Sequence, residues 1–297
     1  TIEVLQSTKS QTRTAHLLRI SFDQVHRIMH RAVERGMSRR DKAERYYYLG
    51  IDEKAVHKGH DYISILSDEA TGVVIDVVGG RTKESVDKLC KDALSEDQRA
   101  EVKTVCTDMW DAFIYGAETY FPNALHCYDN FHLVRYLNMA VDKVRRREVR
   151  TQEELKRTKY LFLKDKLNFT EKQRIKFEAI STGNYLVSRA WQIKENFRDI
   201  QFRQDRAEAI SMYAYWRMDA RHAKIKEIDE VVEMFDRHQK GIINAIQTGA
   251  NNARAERING SIQEIKTIGR GYRKTENFRI AILFFHGNLN MISQEIQ

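Results

Sequence analysis

The chain has 297 residues, of which 50 are Lys or Arg and 42 are Asp or Glu, giving a formal net charge of +8. At 42% hydrophobic residues it has ample material for the core of one large domain or two smaller ones. No apolar run approaches the roughly 18 residues of a membrane span, and the three cysteines show no C-x-x-C spacing. These features argue against a membrane protein, a zinc site and a disulfide framework, and they favour a reducing cytoplasm. The modest positive charge favours a nucleic-acid partner only weakly, because solubility alone would explain it.

Residues 1–42 are predicted to form a small helix-turn-helix module. Ala15, Val25 and Ile28 have the core spacing of such a module, and Ser21 with Gln24 forms a capping-box pattern where the second helix begins. That helix would expose four basic side chains, which are His26, Arg27, His30 and Arg31. Two interpretations stay open: DNA contact through the major groove, or an amphipathic helix pair that packs on the next domain. Because the helical pattern is already present at Thr1, we expect residues upstream of it.

Strands are predicted after this module. Three apolar runs separated by short polar turns, at 58–60 and 68–72, indicate a meander, and helices and two further strands follow. The predicted elements are strands at 46–52, 62–66, 73–78, 102–107 and 124–128, with helices at 83–94 and 110–120. The order β-β-β-α-β-α-β is that of an RNase H-like fold, a five-stranded mixed sheet of the α/β class. In that fold the first strand carries an acid at its centre and the fourth carries one at its end, which are the places of Asp52 and Asp108.

From about residue 130 to 250 the sequence predicts an all-helical insertion, because it has helical periodicity and helix caps but no alternating β-branched runs. Thr170 with Gln173 forms a capping box, and Gly183-Asn184 indicates a helix break. A series of aromatic residues supplies the apolar faces and is expected to be core: Tyr185, Trp191, Phe197, Phe202, Tyr213, Trp216 and Phe235. The chain therefore divides into a module at 1–42 and a catalytic domain at 43–297 that contains the insertion.

A later helix presents the third candidate acid, Glu256. Its apolar stripe is Ala255, Ile258, Ile262 and Ile265, and Glu256 flanks this stripe, so it could face a cleft beside the sheet. The alternative is a first-turn glutamate that complements the helix dipole, and spacing alone would favour that alternative.

Three converging carboxylates would repel one another, and two bound divalent cations usually compensate the negative charge of such a group. Carboxylates that hold two metals about 4 Å apart can promote attack on a phosphodiester. Other acids compete for this role. Glu53 and Asp111 should point away by strand alternation and helix phase. Asp129, at the end of the fifth strand, and His132, one turn later, are equally compatible with a supporting role, or with a helix N-cap and a surface histidine.

Two basic segments complete the candidates. The glycine-broken stretch from Lys266 to Lys274 suits phosphate contacts through Arg270, Arg273 and Lys274, although a solvated turn is the alternative. The triplet 145–147 is less specific and is typical of a solvated helix face.

The chain resembles the ISL3 family of bacterial insertion-sequence transposases, of the DDE class. The stretches that carry the resemblance are Leu49-Gly50-Ile51-Asp52-Glu53, the segment 107–113, the segment 128–134, the segment 252–260 and Gly271-Tyr272-Arg273. Arg257 stands where many relatives have a glycine. Members of the family commonly carry a zinc ribbon ahead of the helix-turn-helix; this sequence has none, which we interpret as N-terminal truncation or loss.

The resemblance implies catalytic and metal-binding roles for Asp52, Asp108 and Glu256, with two Mg²⁺ or Mn²⁺ ions. It implies a DNA transposase that cleaves transposon ends and transfers the 3′-hydroxyl strand to target DNA. The partners would be double-stranded transposon-end and target DNA and a second copy of the chain, as a homodimer or larger assembly, in the bacterial cytoplasm. Two alternatives remain: an RNase H-like nuclease without strand transfer, and a domesticated DNA-binding regulator.

Overall fold

The computed structural model describes residues 1–56, 61–164, 168–201, 203–250 and 253–292, and from 253 to 256 it describes the backbone alone. The chain divides into two compact units. We call Thr1–His126 with Asn252–Gln297 the sheet unit, and Cys127–Asn251 the helical unit. None of the described helices is both long and apolar enough to span a bilayer.

A five-stranded mixed sheet carries the candidate acids. Its strands are β1 (Tyr48–Ala55), β2 (Tyr62–Asp68), β3 (Val73–Gly79), β4 (Thr104–Thr107) and β5 (Leu125–Tyr128), in the order β3-β2-β1-β4-β5. β2 pairs antiparallel with both β1 and β3, and β4 runs parallel to β1. This arrangement confirms the predicted α/β class and the RNase H-like order of strands.

Strand boundaries differ from the predicted ones by a few residues. β1 begins at Tyr48 and continues to Ala55, and β4 begins at Thr104, because pairing of these two strands starts at Tyr48 and Thr104. Tyr46 lies before β1; it is buried, and its hydroxyl donates to Glu44 at 2.7 Å. Its aromatic character therefore reflects burial of the ring and not membership of the strand. The predicted turn at 58–60 lies outside the described residues.

Side chains alternate between two apolar layers. Leu49 and Ile51 point into the layer formed with α4 (Lys83–Ala93) and α6 (Asp111–Tyr120), while α5 (Glu96–Ala100) precedes β4. Ile63 and Ile65 point to the opposite layer, which contains α14 (Ala253–Ile268) and α15 (Thr275–His286). Each face of the sheet is therefore covered by helices, and Asp52, which follows Ile51 of the first layer, faces the second.

Three N-terminal helices join this second layer. They are α1 (Ile2–Thr8), α2 (Gln11–Leu18) and α3 (Phe22–Ser38). The predicted capping box at Ser21 and Gln24 is present, with both hydrogen bonds formed. Met29 occupies the buried position after Val25, whereas Ile28 is half-buried. One face of α3 thus packs in the same core as α14 and α15, and the division at residue 42 stays a prediction.

Every element described between Asn130 and Thr248 is helical. The helices are α7 (Asn130–Glu148), α8 (Lys159–Leu163), α9 (Glu171–Ser181), α10 (Leu186–Gln201), α11 (Arg206–His222), α12 (Lys226–Arg237) and α13 (Gln239–Thr248), with a 3-10 turn at Glu153–Leu155. The capping box at Thr170 and Gln173 is formed. Five of the predicted core aromatics are buried, which are Trp191, Phe197, Tyr213, Trp216 and Phe235, whereas Tyr185 is only half-buried and Phe202 lies outside the described residues.

Candidate active site

Asp52 is a buried carboxylate whose two oxygens each accept a hydrogen bond. It lies in β1 with 8% exposure, on the sheet face that packs against α14. Its Oδ1 accepts from the backbone N–H of Glu53 at 2.7 Å, and its Oδ2 accepts from Nδ2 of Asn259 at 2.6 Å. Two donors compensate the loss of hydration that burial imposes on a carboxylate, and they fix its orientation.

Asp108 follows the last residue of β4, next to Asp52. The parallel pairing of β1 and β4 ends at Ile51 and Thr107, so Asp52 and Asp108 are the next residues on two strands about 4.8 Å apart. Gly50 and Cys106 are partners in this pairing, and Asp52 and Asp108 each follow two residues later. Because side chains alternate between the two faces along a strand, both aspartates lie on the same face. The backbone N–H of Met109 donates to Oδ1 of Asp108 at 2.6 Å. Buried Asp52 and half-buried Asp108 therefore lie side by side on one face of the sheet, where β1 and β4 stop pairing, a place that we call the carboxylate edge.

Helix α14 is attached to β1 by hydrogen bonds at several points. Lys54 donates from Nζ to the backbone oxygen of Asn259 at 3.2 Å, and Lys266 donates to the backbone oxygen of Ala55 at 3.3 Å. The helix buries Ile258, Ile262 and Ile265, as the predicted stripe requires, whereas the side chain of Ala255 lies outside the described set. This attachment brings residues from the C-terminal part of the chain to the carboxylate edge.

Glu256 lies in α14, one turn before Asn259, but its side chain is outside the described residues. Its place as the third ligand stays a prediction. Among the side chains that the structure describes, no three His, Cys, Asp or Glu residues form a metal-binding group. Asp52 and Asp108 alone supply the carboxylate pair.

The donor set near Asp52 suits a hard divalent cation. Asp52 and Asp108 supply carboxylate oxygens, which are preferred ligands of Mg²⁺. Asn259 adds an amide oxygen, Oδ1, which is buried and has no hydrogen-bond partner among the described residues. Only the amide nitrogen can donate to a carboxylate, so the bond to Asp52 fixes which atom is Oδ1. Sequence analysis missed Asn259, because its role depends on a contact across 207 positions.

Glu53 takes no part in this group, as strand alternation predicts. It lies on the other face of β1, where Nη1 of Arg81 contacts both its oxygens at 2.9 and 2.8 Å. The guanidinium of Arg81 stacks on the rings of Tyr62 and Trp110, at 4.0 and 4.2 Å from their centroids. Asp111 is exposed on the rim of this Arg81 cluster.

Asp129 and His132 form a capping pair in the helical unit. Asp129 is the N-cap of α7 and accepts from the N–H of Phe131 at 3.3 Å. Its Oδ2 lies 3.0 Å from Nδ1 of His132. The capping role is therefore present, and the supporting role in catalysis stays a prediction.

The predicted phosphate-binding loop projects charged side chains into solvent. Arg270 and Gly271 adopt left-handed φ values of 53° and 88°, which reverse the chain after α14. Tyr272 stacks on Phe278 with 4.9 Å between ring centroids, and burial raises its pKa to about 12. The exposed side chains of Arg270, Arg273 and Lys274 make no hydrogen bond or ion pair with any other described residue. The loop thus has a fixed aromatic base and three cations available for a ligand.

Arg27 and Arg31 occupy the exposed face of α3. Nε of Arg27 donates to the backbone oxygen of Asp23 at 3.3 Å, and both arginines are exposed. The histidines differ from the prediction, because His26 and His30 are half-buried with rings 4.4 Å apart. Burial and the neighbouring His30 lower the pKa of His26. The two arginines are therefore the basic groups that this face offers.

Comparison with known families and proteins gives consistent results. The model of the ISL3 transposases, of the DDE class, matches residues 49–282. The transposase for insertion sequence element IS1001 of Bordetella parapertussis is 26% identical over 250 residues, which are 81% of this chain and 61% of that protein. The transposase for IS1557 of Mycobacterium tuberculosis, in two strains, is 25% identical over 304 residues, covering 93% of this chain and 68% of the relative. The chain thus spans about two thirds or less of the length of these relatives.

Proposed function

Because this chain belongs to the ISL3 family of DDE transposases, we propose that it cleaves DNA at transposon ends and transfers the freed 3′-hydroxyl strand to target DNA. The observation that carries the proposal is the carboxylate pair, with Asp52 in the middle of β1 and Asp108 directly after β4, on one face of the sheet where these parallel strands stop pairing. An acid pair at a buried sheet edge is costly unless a cation compensates it, and phosphodiester chemistry needs such a cation.

Asp52, Asp108 and Glu256 would hold two Mg²⁺ or Mn²⁺ ions. When bound, such ions stabilise the attacking and the leaving oxygens of a phosphodiester. The carboxylates position these ions and do not attack phosphorus themselves, so no covalent protein intermediate is needed. Asn259 and the N–H of Glu53 hold Asp52 in a single orientation.

DNA would be held by two sets of cations in the sheet unit. Arg27 and Arg31 on α3 would contact base edges in the major groove, which a recognition helix enters through its exposed face. Arg270, Arg273 and Lys274 would contact phosphates, since they have no ion-pair partner among the described residues. We expect two or more copies of the chain to assemble on DNA, with Asp129 and His132 in a supporting role.

A strand-transfer assay tests this proposal. Purified protein would be incubated with Mg²⁺, a supercoiled target plasmid and labelled, pre-cut ends taken from the DNA that flanks its coding sequence. We expect labelled ends to become joined to the plasmid, and Asp52→Asn to abolish joining. Cleavage of uncut ends without joining of pre-cut ones would identify a nuclease. Binding without either reaction would identify a DNA-binding regulator.

A further inference from the structure

The Arg81 cluster joins the two segments of the chain that carry the aspartates. Its members are Arg81 and the three side chains that contact its guanidinium group, which are Glu53, Tyr62 and Trp110. Glu53 follows Asp52 in β1, and Trp110 is the second residue after Asp108. Because side chains alternate along β1, the cluster lies on the face of that strand opposite to Asp52. One arginine therefore contacts the chain next to each carboxylate from the other face of the sheet.

These contacts lie where the two strands stop holding each other. Pairing of β1 with β4 ends at Ile51 and Thr107, one residue before each aspartate. Beyond that point the Arg81 cluster connects the two segments. It is thus placed to set the distance between Asp52 and Asp108.

The backbone beside Arg81 is fixed by hydrogen bonds to β2. The N–H of Gly80 donates to the carbonyl oxygen of Tyr62 at 2.7 Å, and the buried hydroxyl of Ser64 donates to the carbonyl oxygen of Gly80 at 2.8 Å. Gly80 has a left-handed φ of 86°, and an added Cβ would lie 2.6 Å from Oγ of Ser85. The guanidinium group thus extends from a point that the sheet holds in place.

The link to Asp52 runs through Glu53. Nη1 of Arg81 lies 2.9 and 2.8 Å from the two carboxylate oxygens of Glu53, which holds this side chain in one orientation. The backbone N–H of Glu53 in turn donates to Oδ1 of Asp52 at 2.7 Å. Fixing Glu53 therefore fixes the N–H group that orients the first aspartate.

The link to Asp108 runs through Trp110. Nε1 of Trp110 donates to the carbonyl oxygen of Arg81 at 3.0 Å, and the guanidinium carbon lies 4.2 Å from the centroid of the same ring. One residue earlier, the N–H of Met109 donates to Oδ1 of Asp108 at 2.6 Å. Backbone and side chain of Arg81 thus both hold the turn that orients the second aspartate.

The shape of the guanidinium group matters here more than its charge. The side chains of Arg81 and Glu53 are 26% and 27% exposed, and an ion pair of that exposure usually contributes little to stability. The contacts with Tyr62 and Trp110 distinguish this pair, because a planar group that lies over aromatic rings cannot be replaced by a lysine ammonium. Pairing with Glu53 also compensates the charge that a phosphate contact would use.

We propose that Arg81 is a positioning residue that sets the distance and orientation of Asp52 and Asp108 for metal binding. It acts through Glu53 and Trp110 and not by contact with the metal. The inference rests on the proposed function for the metal-binding role of the aspartates, and on the contacts of Arg81 for the positioning. Loss of a residue that orients a metal ligand weakens metal binding about 10–100-fold. Because Arg81 acts through a further residue, we expect about 10-fold.

Titration of the full chain with Mn²⁺, followed by electron paramagnetic resonance, tests this with three variants that separate position from charge. Arg81→Lys keeps the positive charge, Arg81→Gln removes it, and Glu53→Gln combined with Arg81→Gln removes both charges of the pair. We expect the dissociation constant for Mn²⁺ to rise about 10-fold in all three, because each loses the planar group. An effect of charge alone would leave Arg81→Lys and the double variant unchanged and make Arg81→Gln bind Mn²⁺ more tightly. That pattern would overturn the proposal.

Arg279→Lys is the matched control. The side chain of Arg279 is 25% exposed, and its Nε and Nη2 lie 2.9 and 2.8 Å from Oδ1 of Asp76 on β3. β2 separates β3 from β1, so this variant should lower the free energy of unfolding and leave Mn²⁺ binding unchanged. Urea unfolding measures stability, and circular dichroism verifies that Mn²⁺ is titrated into folded protein. Arg81→Lys, the most conservative change, decides the question by itself if another variant does not fold.

The remaining outcomes separate this proposal from the proposed function. Arg81 variants that lose stability but bind Mn²⁺ like the parent protein would show a structural role only and overturn the proposal, while joining of pre-cut ends by the parent protein would leave the transposase proposal intact. Arg81→Gln should leave the slope of log DNA affinity against log salt unchanged; a decrease of about one unit would identify a phosphate contact and also overturn it. A parent protein that binds no Mn²⁺ would overturn both proposals.

Discussion

Replacing Asn259 by alanine should weaken cation binding at the carboxylate edge. The substitution removes a 2.6 Å hydrogen bond to Oδ2 of Asp52, which is 8% exposed, together with the buried amide oxygen beside it. A hydrogen bond to a charged group contributes about 1.5–3 kcal/mol, and loss of a residue that orients a metal ligand typically weakens metal binding about 10–100-fold. We therefore expect the dissociation constant for Mn²⁺ to rise by about that factor. The free energy of unfolding should fall by about 1–3 kcal/mol.

Titration of Mn²⁺ followed by electron paramagnetic resonance measures this change, and urea unfolding measures stability. Gln263→Ala is the control, because it lies one turn further along α14 and is exposed. Gln263→Ala should change neither the free energy of Mn²⁺ binding nor the free energy of unfolding by more than about 0.5 kcal/mol. Asn259→Asp should have the opposite effect on metal binding. A second carboxylate beside Asp52 should strengthen Mn²⁺ binding, so the free energy of unfolding should depend more strongly on added Mn²⁺. If Asn259→Ala binds Mn²⁺ as tightly as the parent protein, the amide does not orient a metal ligand, and the reasoning is refuted.

Three further predictions concern the proposed site and the DNA contacts. The variants Asp52→Asn, Asp108→Asn and Glu256→Gln should bind transposon-end DNA like the parent protein but fail to nick it in Mg²⁺. They should melt at no lower temperature than the parent protein. Near-parental nicking by Glu256→Gln would show that another residue is the third metal ligand. Arg273→Ala should reduce the slope of log affinity against log salt by about one unit, because one phosphate contact is lost; an unchanged slope would remove the loop from the DNA footprint. Arg27→Ala should reduce the discrimination between cognate and altered end sequences by about 1–3 kcal/mol, measured by competition binding. An equal loss of affinity for every sequence would indicate that Arg27 contacts a phosphate instead.

The part of the fold that follows local rules could be predicted from the sequence. Alternation with period two placed Asp52 and Glu53 on opposite faces of β1, and the structure has them there. The capping boxes at Ser21 and Thr170 were also correct, because the pattern specifies its own hydrogen bonds within one turn.

The features that depend on distant contacts could not be predicted in this way. The hydrogen bond of Asn259 to Asp52 requires α14 to dock along β1, and no local pattern encodes that position. The half-burial of His26 and His30 likewise depends on the packing of α3 beside α2, where Nδ1 of His26 lies 3.1 Å from Oε1 of Gln11. Sequence periodicity predicted that both histidines are exposed, because it depends on the polarity of each side chain and contains no information about which residues pack beside it.

Diffraction from crystals soaked in Mn²⁺ tests the central claim most directly, because anomalous scattering locates manganese without reference to activity. If Asp52 and Asp108 hold the proposed ions, two anomalous peaks should lie about 4 Å apart at the edge where β1 and β4 run side by side, with the carboxylate of Glu256 as a further ligand. The same crystals of Asp52→Asn should lose at least one of these peaks. Peaks confined to other surfaces, with none in contact with Asp52 or Asp108, would contradict the assignment of this edge as the site of two-metal chemistry.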